Sequence, residues 1–139
     1  MRPCGRSAGK GCSMRKLDHI GIYVRSIDEA SKIYERLGFP VERVIQFDAG
    51  GRSVPIAFIP VAPGVDLELI EAPGALDAGL EALHHICFEV DDIAAELDGL
   101  KRTGTPLADL EPRPGAAARL IAFLKPEAAD GVRVELAEK

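Results

Sequence analysis

Four residues of this chain have side chains that bind metal ions, and they stand at matching places: His19 in "LDHIGIYV", Glu68 in "GVDLEL", His85 in "LHHICFEV" and Glu135 in "GVRVEL". Side chains alternate along a strand. His19 therefore projects opposite Ile20, Ile22 and Val24, and His85 opposite Ile86, Phe88 and Val90. Glu68 stands opposite Val65, Leu67 and Leu69, and Glu135 opposite Val132, Val134 and Leu136. Each half of the chain thus offers one imidazole and one carboxylate on its non-core face. Both groups ligate divalent first-row ions, and mixed N/O ligation with room for water suits Co, Mn, Ni, Fe or Zn. Taken singly, each residue reads better as a solvent-facing or satisfied interior polar group than as a ligand. Four in equivalent places point to a metal. Gly21 and Cys87, two residues beyond each histidine, leave room beside the imidazole. His84 and Asp18 read as strand-edge polar groups, and Cys87 as packing or cavity lining.

The elements that would position these groups come from an internal repeat. A shift of 66 residues lays Leu17, His19, Ile20, Val24 and Ile27 on Leu83, His85, Ile86, Val90 and Ile93, and Gly38 and Pro40 on Gly104 and Pro106. With one-residue slips, "AFIP" from Ala57 meets "AFLKP" from Ala122, and "GVDLEL" meets "GVRVEL". Each copy reads as strand, helix and three strands: 17–24, 27–37, 41–47, 54–61 and 65–71, then 83–90, 92–102, 105–110, 118–124 and 132–137. Ser26 and Asp91 or Asp92 are helix N-cap candidates, and Ile27, Ala30, Ile33, Tyr34 and Leu37 form one helical face. The expected fold is α+β, two tandem βαβββ modules whose curved mixed sheets enclose a metal-containing cavity. Residues 14–139 form one domain on this reading, with module one over 14–74 and module two over 80–139.

Composition narrows the function classes. The chain has 139 residues, 47% of them hydrophobic, and a net charge of −5. No apolar run is long enough to cross a bilayer, and no basic excess is available for nucleic acid. Cys4, Cys12 and Cys87 lack pairing or metal-type spacing, so a reducing, cytoplasmic setting is expected. Residues 1–13 carry three basic residues and no acids and read as a flexible extension, with Met14 a candidate internal start.

"LDHIGIYV", "GALDAGLEALHHICFEVDDI", "EPRPGAAARLIAFLKP" and "GVRVELAE" resemble segments of the vicinal oxygen chelate superfamily and, within it, the methylmalonyl-CoA epimerases. The resemblance runs from Leu17 almost to the end. It implies paired βαβββ modules, a homodimer, and metal ligands at His19, Glu68, His85 and Glu135. It also implies a proton shift beside a thioester, with the metal as Lewis acid, the charge held as an enediolate, and Glu135 as ligand or base. Several such epimerases carry a second-base glutamate at a place that here reads Ile56. The "PEQG"-like segment before it is "DAGGRS", "GAGG" reads "GAAA", and the histidine before Pro126 is Lys125. Two further classes therefore stand beside the epimerase. One is a glyoxalase-type lyase acting on a thiol conjugate. The other is a metal-free, ligand-sequestering protein like the bleomycin-resistance members, against which aromatic residues at only 5% and the four retained ligands both count. A CoA phosphate could meet Lys32, Arg36, Arg113, Arg119 or Lys125. Arg113, in "EPRPG", is the substrate-binding candidate.

Overall fold

The order strand, helix, then strands occurs twice because the amphipathic patterns recur. The structure, a computed structural model, describes residues 15–139; the extension over 1–13, which holds Cys4 and Cys12, and the following Met14 lie outside the described residues. The first copy comprises β1 (Arg15–Val24), α1 (Ile27–Arg36), β2 (Arg43–Ala49), β3 (Arg52–Ala62) and β4 (Val65–Glu71). After a short helix α2 (Pro73–Asp77) come β5 (Leu83–Val90), α3 (Ile93–Arg102), β6 (Arg113–Pro114), β7 (Leu120–Phe123) and β8 (Val134–Glu138). The chain groups into two units. One is His19–His85, and the other joins the start of β1, up to Asp18, to Ile86–Lys139. Each holds a mixed sheet with its own helix, so the fold is α+β. Among the described residues no helix is long and apolar enough to cross a membrane.

In the unit His19–His85 the sheet order is β2-β3-β4-β1, with β1 parallel to β4 and the other pairs antiparallel. Gly50 and Gly51, at φ of 66° and 89°, make the two-residue turn between β2 and β3 that a side chain would strain. Ser26 caps α1 by accepting from the Glu29 amide at 3.2 Å, and Glu71 at the end of β4 accepts from the Ile27 amide at 2.8 Å. Ile27 packs on Ala57, Ile59 and Leu69, with Ala30 and Tyr34 beside them. Ile33 and Leu37, expected on this face, are 51% and 64% exposed. The buried stripe is narrower than the apolar one. With the helix covering Ala57, Ile59 and Leu69, alternation turns His19, Gly21, Ile56, Phe58 and Glu68 to the opposite face.

The other unit repeats the plan with order β5-β8-β7-β6. Asp92 caps α3 through the Ala95 amide at 3.1 Å, and Glu138 accepts from the Ile93 amide at 3.1 Å, as Glu71 does for Ile27. Val90, Ile93, Leu97, Leu107, Ala122 and Leu136 form its core. The strand expected over 105–110 is not formed. Leu107 makes a single bridge to Leu124, and the amides of Ala108 and Asp109 both donate to the Phe123 carbonyl at 3.0 Å. The Asp109 carboxylate accepts from the Phe123 amide at 2.8 Å, a side chain taking a backbone acceptor's place, and Pro106 has no N–H to pair. The edge strand is instead the two-residue β6.

Candidate metal centre

His19 and Glu68 face each other because β1 runs parallel to β4, with His19 opposite Asp66 and Gly21 opposite Glu68. Nδ1 of His19 lies 3.2 Å from Oε2 of Glu68, and its Nε2 lies 2.9 Å from Nε2 of His85. All three residues are buried, between 5% and 8% exposed. One potential ligand atom from each lies within 4.8 Å of the other two. A cation with bonds of about 2.0–2.2 Å to nitrogen and oxygen holds neighbouring donors roughly 3–3.5 Å apart. The contacts of 2.9 and 3.2 Å use different nitrogens of the His19 ring, of which one ion takes only one, so the measure of fit is the 4.8 Å within which one donor atom from each residue lies; two imidazoles and a carboxylate suit the first-row divalent metals.

Gly21 explains how His85 reaches this position. A Cβ on Gly21 would stand 2.3 Å from Cε1 and 2.5 Å from Nδ1 of the His85 ring. The imidazole occupies the room that the missing side chain leaves, as the spacing suggested. The remaining nitrogen of the ring meets His84, whose Nδ1 lies 2.7 Å from Nδ1 of His85. His84 in turn packs on Tyr23, ring centroids 4.7 Å apart. His84 is thus a direct neighbour of the cluster. Strict alternation hid this contact, and the "HH" doublet was the signal.

Glu135 belongs to the other unit. It is 6% exposed on β8, opposite Cys87 on β5 and Phe123 on β7. Cys87 is fully buried with Ile121 and Ala137, the packing role expected of it. Ile56, which the resemblance sets where several epimerases carry a second-base glutamate, is 5% exposed and lies in register between Ile45 and Ile70. No proton can be held there.

The basic residues divide by what they touch. Arg119 is a structural clamp: its Nη1 donates to both Asp18 oxygens at 3.0 Å, Nη2 to Glu89 at 3.3 Å and Nε to the Glu138 carbonyl at 2.9 Å. Asp18 is thereby an ion-pair partner inside its unit. Lys32 pairs with Glu29 at 3.0 Å along α1. Arg113 is half-exposed, pairs with Asp109 at 2.9 Å and lies over the Phe123 ring at 5.7 Å. The site-face cation that the sequence reading did not single out is Arg43, whose guanidinium lies 3.9 Å over the Phe58 ring.

A duplicated βαβββ chain here gathers two imidazoles and a carboxylate, a donor set that could hold a metal ion, on the helix-free face of a sheet. The chain belongs to the Glyoxalase/Bleomycin resistance protein/Dioxygenase superfamily, which it matches over residues 18–123. It is 37% identical over 135 residues to the uncharacterized Bacillus subtilis protein YqjC, covering 90% of this chain and 93% of that protein. It is 35% identical over 130 residues to the ethylmalonyl-CoA/methylmalonyl-CoA epimerase of Cereibacter sphaeroides, covering 87% and 96%. The structure of a single-substitution variant of Streptomyces coelicolor methylmalonyl-CoA epimerase in complex with 2-nitronate-propionyl-CoA superposes with a TM-score of 0.75 at 28% identity, covering 89% and 96%.

Proposed function

We propose that this protein is a divalent-metal-dependent epimerase of a short acyl-CoA, with methylmalonyl-CoA as the first substrate to test. The observation that carries the reading is the buried His19, Glu68 and His85 cluster, in a chain similar along most of its length to named epimerases. A divalent cation held there supplies Lewis-acid stabilisation of the negative charge that develops on a thioester oxygen when the α-proton leaves. His19 and His85 offer neutral nitrogen donors and Glu68 an anionic oxygen. Glu135 is the repeat counterpart of Glu68, and we assign it on that equivalence as the fourth ligand and as the carboxylate that takes the proton. Arg113, half-exposed on β6, is assigned to the CoA end of the substrate.

Ile56 favours a second reading. Inversion needs groups able to take and return a proton on both faces of the carbon, and the site face of β3 is apolar there. A glyoxalase-type lyase acting on a thiol conjugate uses the same ligand set without that base.

Proton-deuteron exchange at the α-carbon of methylmalonyl-CoA in D2O, followed by NMR with Co, Mn, Ni or Zn loaded in turn, tests the proposal. Metal-dependent exchange that His85→Ala abolishes is the expected result, with chiral analysis reading the inversion. Absence of exchange in fully metallated protein would overturn it and send the search to thiol conjugates.

A further inference from the structure

One row of residues runs across the sheet of the His19–His85 unit. Arg43 on β2 is opposite Phe58 on β3, Phe58 is opposite Glu68 on β4, and Glu68 is opposite Gly21 on β1, whose vacant side-chain volume holds the His85 ring. Directly opposed residues share a sheet face. The Arg43 guanidinium is therefore on the same face as the cluster and in line with it. Phe58 is 2% exposed and forms a fixed platform, with the guanidinium carbon 3.9 Å from its ring centroid. Strands are spaced about 4.8 Å apart, so a cation seated over Phe58 lies roughly 5 Å to the side of the Glu68 column.

Two comparisons within the chain single Arg43 out. Arg113 also lies over a phenylalanine that neighbours a site glutamate, Phe123 beside Glu135. It is offset along the strand, because it is opposite Ile121, and Asp109 pairs with its guanidinium. Arg119 is held by two carboxylates and a carbonyl. Arg43 forms no ion pair among the described residues. An arginine stacked on an aromatic face keeps its planar fork of donors and is more weakly hydrated than an ammonium, which suits it to bidentate capture of a carboxylate.

We propose that Arg43 is a specificity-determining residue: it receives the carboxylate of an acyl thioester whose reacting end lies at the His19, Glu68 and His85 cluster, and so selects dicarboxylic over neutral acyl groups. The inference rests on the acyl-CoA reading and adds to it the residue that reads the carboxylate. The distance decides which anion is meant. The phosphates of CoA are a whole pantetheine arm from the thioester, whereas a carboxylate on the α-carbon is two bonds from the thioester carbonyl oxygen's carbon and within reach of Phe58. The cation also offsets the repulsion that Glu68 exerts on such an anion.

The test compares two ligands that differ only in the carboxylate, methylmalonyl-CoA and propionyl-CoA, by calorimetry on the metal-loaded full chain. Charge-assisted hydrogen bonds of this kind correspond to about 10- to 100-fold in affinity. Arg43→Gln is expected to weaken methylmalonyl-CoA by that factor while leaving propionyl-CoA and the metal affinity within about twofold. Arg43→Lys, which keeps the charge and loses the fork, is expected to recover part of the loss. Equal weakening of both thioesters, or no weakening of either, would overturn the assignment. Should the wild-type protein bind neither thioester, the acyl-CoA reading falls separately, and free methylmalonate against propionate, titrated by NMR, decides for Arg43. A methylmalonate preference that Arg43→Gln removes keeps the anion role, and its absence in the wild type overturns it.

Discussion

Gly21→Ala is the substitution through which the candidate metal centre is most directly probed. The added Cβ would meet His85 ring atoms at 2.3, 2.5 and 3.1 Å, whereas ordinary contact begins near 3.4 Å. The ring must therefore retreat by about 1 Å, five times the roughly 0.2 Å that metal-ligand distances tolerate. The backbone cannot yield instead, because Gly21 is locked opposite Glu68 in the β1–β4 pairing. Retreat also draws His85 from Nδ1 of His84, now at 2.7 Å, and from Nε2 of His19, now at 2.9 Å. The expected consequence is loss of one ligand and about 100-fold in divalent-metal affinity, or ~2.7 kcal/mol.

Stability should move much less. Alanine regains about 0.5–1 kcal/mol of strand backbone entropy, which offsets part of a strain of roughly 1–3 kcal/mol. Chelator competition with Co or Zn gives the affinity, and a thermal melt gives the stability. Gly74→Ala serves as control, since nothing lies within 4 Å of its Cβ position and its φ is not left-handed. A Gly21→Ala protein that binds metal within about threefold of wild type would refute the reasoning, because it would mean that His85 is not seated over Gly21 as a ligand.

Three further outcomes follow from contacts already described. Ile56→Glu places a carboxylate between Ile45 and Ile70 without a partner and should cost about 3 kcal/mol in urea denaturation, against about 1 kcal/mol for Ile56→Val; equal losses would mean that this side of β3 is wet. His84→Ala should lower metal affinity about tenfold, and His84→Asn, whose Oδ1 replaces Nδ1 opposite His85, should hold it within about threefold, both read by chelator competition. Equal loss in the two variants would remove the hydrogen bond as the cause. Arg119→Ala should destabilise by about 2 kcal/mol, a value discounted because Arg119, Asp18 and Glu89 are 27%, 15% and 19% exposed; a loss below about 0.5 kcal/mol in the same urea experiment would show that water replaces the clamp.

The sequence was most informative where the determinant was local. Alternation alone put His19, His85, Glu68 and Glu135 on the helix-free faces, and the caps at Ser26 and Asp92 lie where the side chains can reach the third amide on. It failed where a distant group decides. Nothing near 105–110 says that Phe123 will offer its carbonyl to two successive amides, and nothing near Ile27 or Ile93 says that Glu71 or Glu138 will cap them. Arg43 was missed for the same reason. Its relation to Glu68 passes through Phe58 and two strand registers, neither of which is written within the seven residues of β2. The short helix α2 lacks both a side-chain cap and an apolar period to announce it.

The two copies keep some equivalences and lose others. Glu71 and Glu138 cap equivalent helices, Phe58 and Phe123 stand beside Glu68 and Glu135, and His19 and His85 lie on equivalent strands. These positions build the sheet or present ligands, tasks that a repeated plan performs equally well twice. The differences fall elsewhere on the site faces. Gly21 admits a ring where Cys87 fills its own space, and Arg43 keeps an open charge where Arg113 is paired with Asp109. A cation needs several donors of similar kind, which duplication supplies. An acyl thioester has a carboxylate at one place and a long CoA arm at another, and recognition of unlike groups requires the copies to differ. On the proposed reading, the open charge of Arg43, which the Asp109 pairing denies to Arg113, is what distinguishes a dicarboxylic from a neutral acyl group.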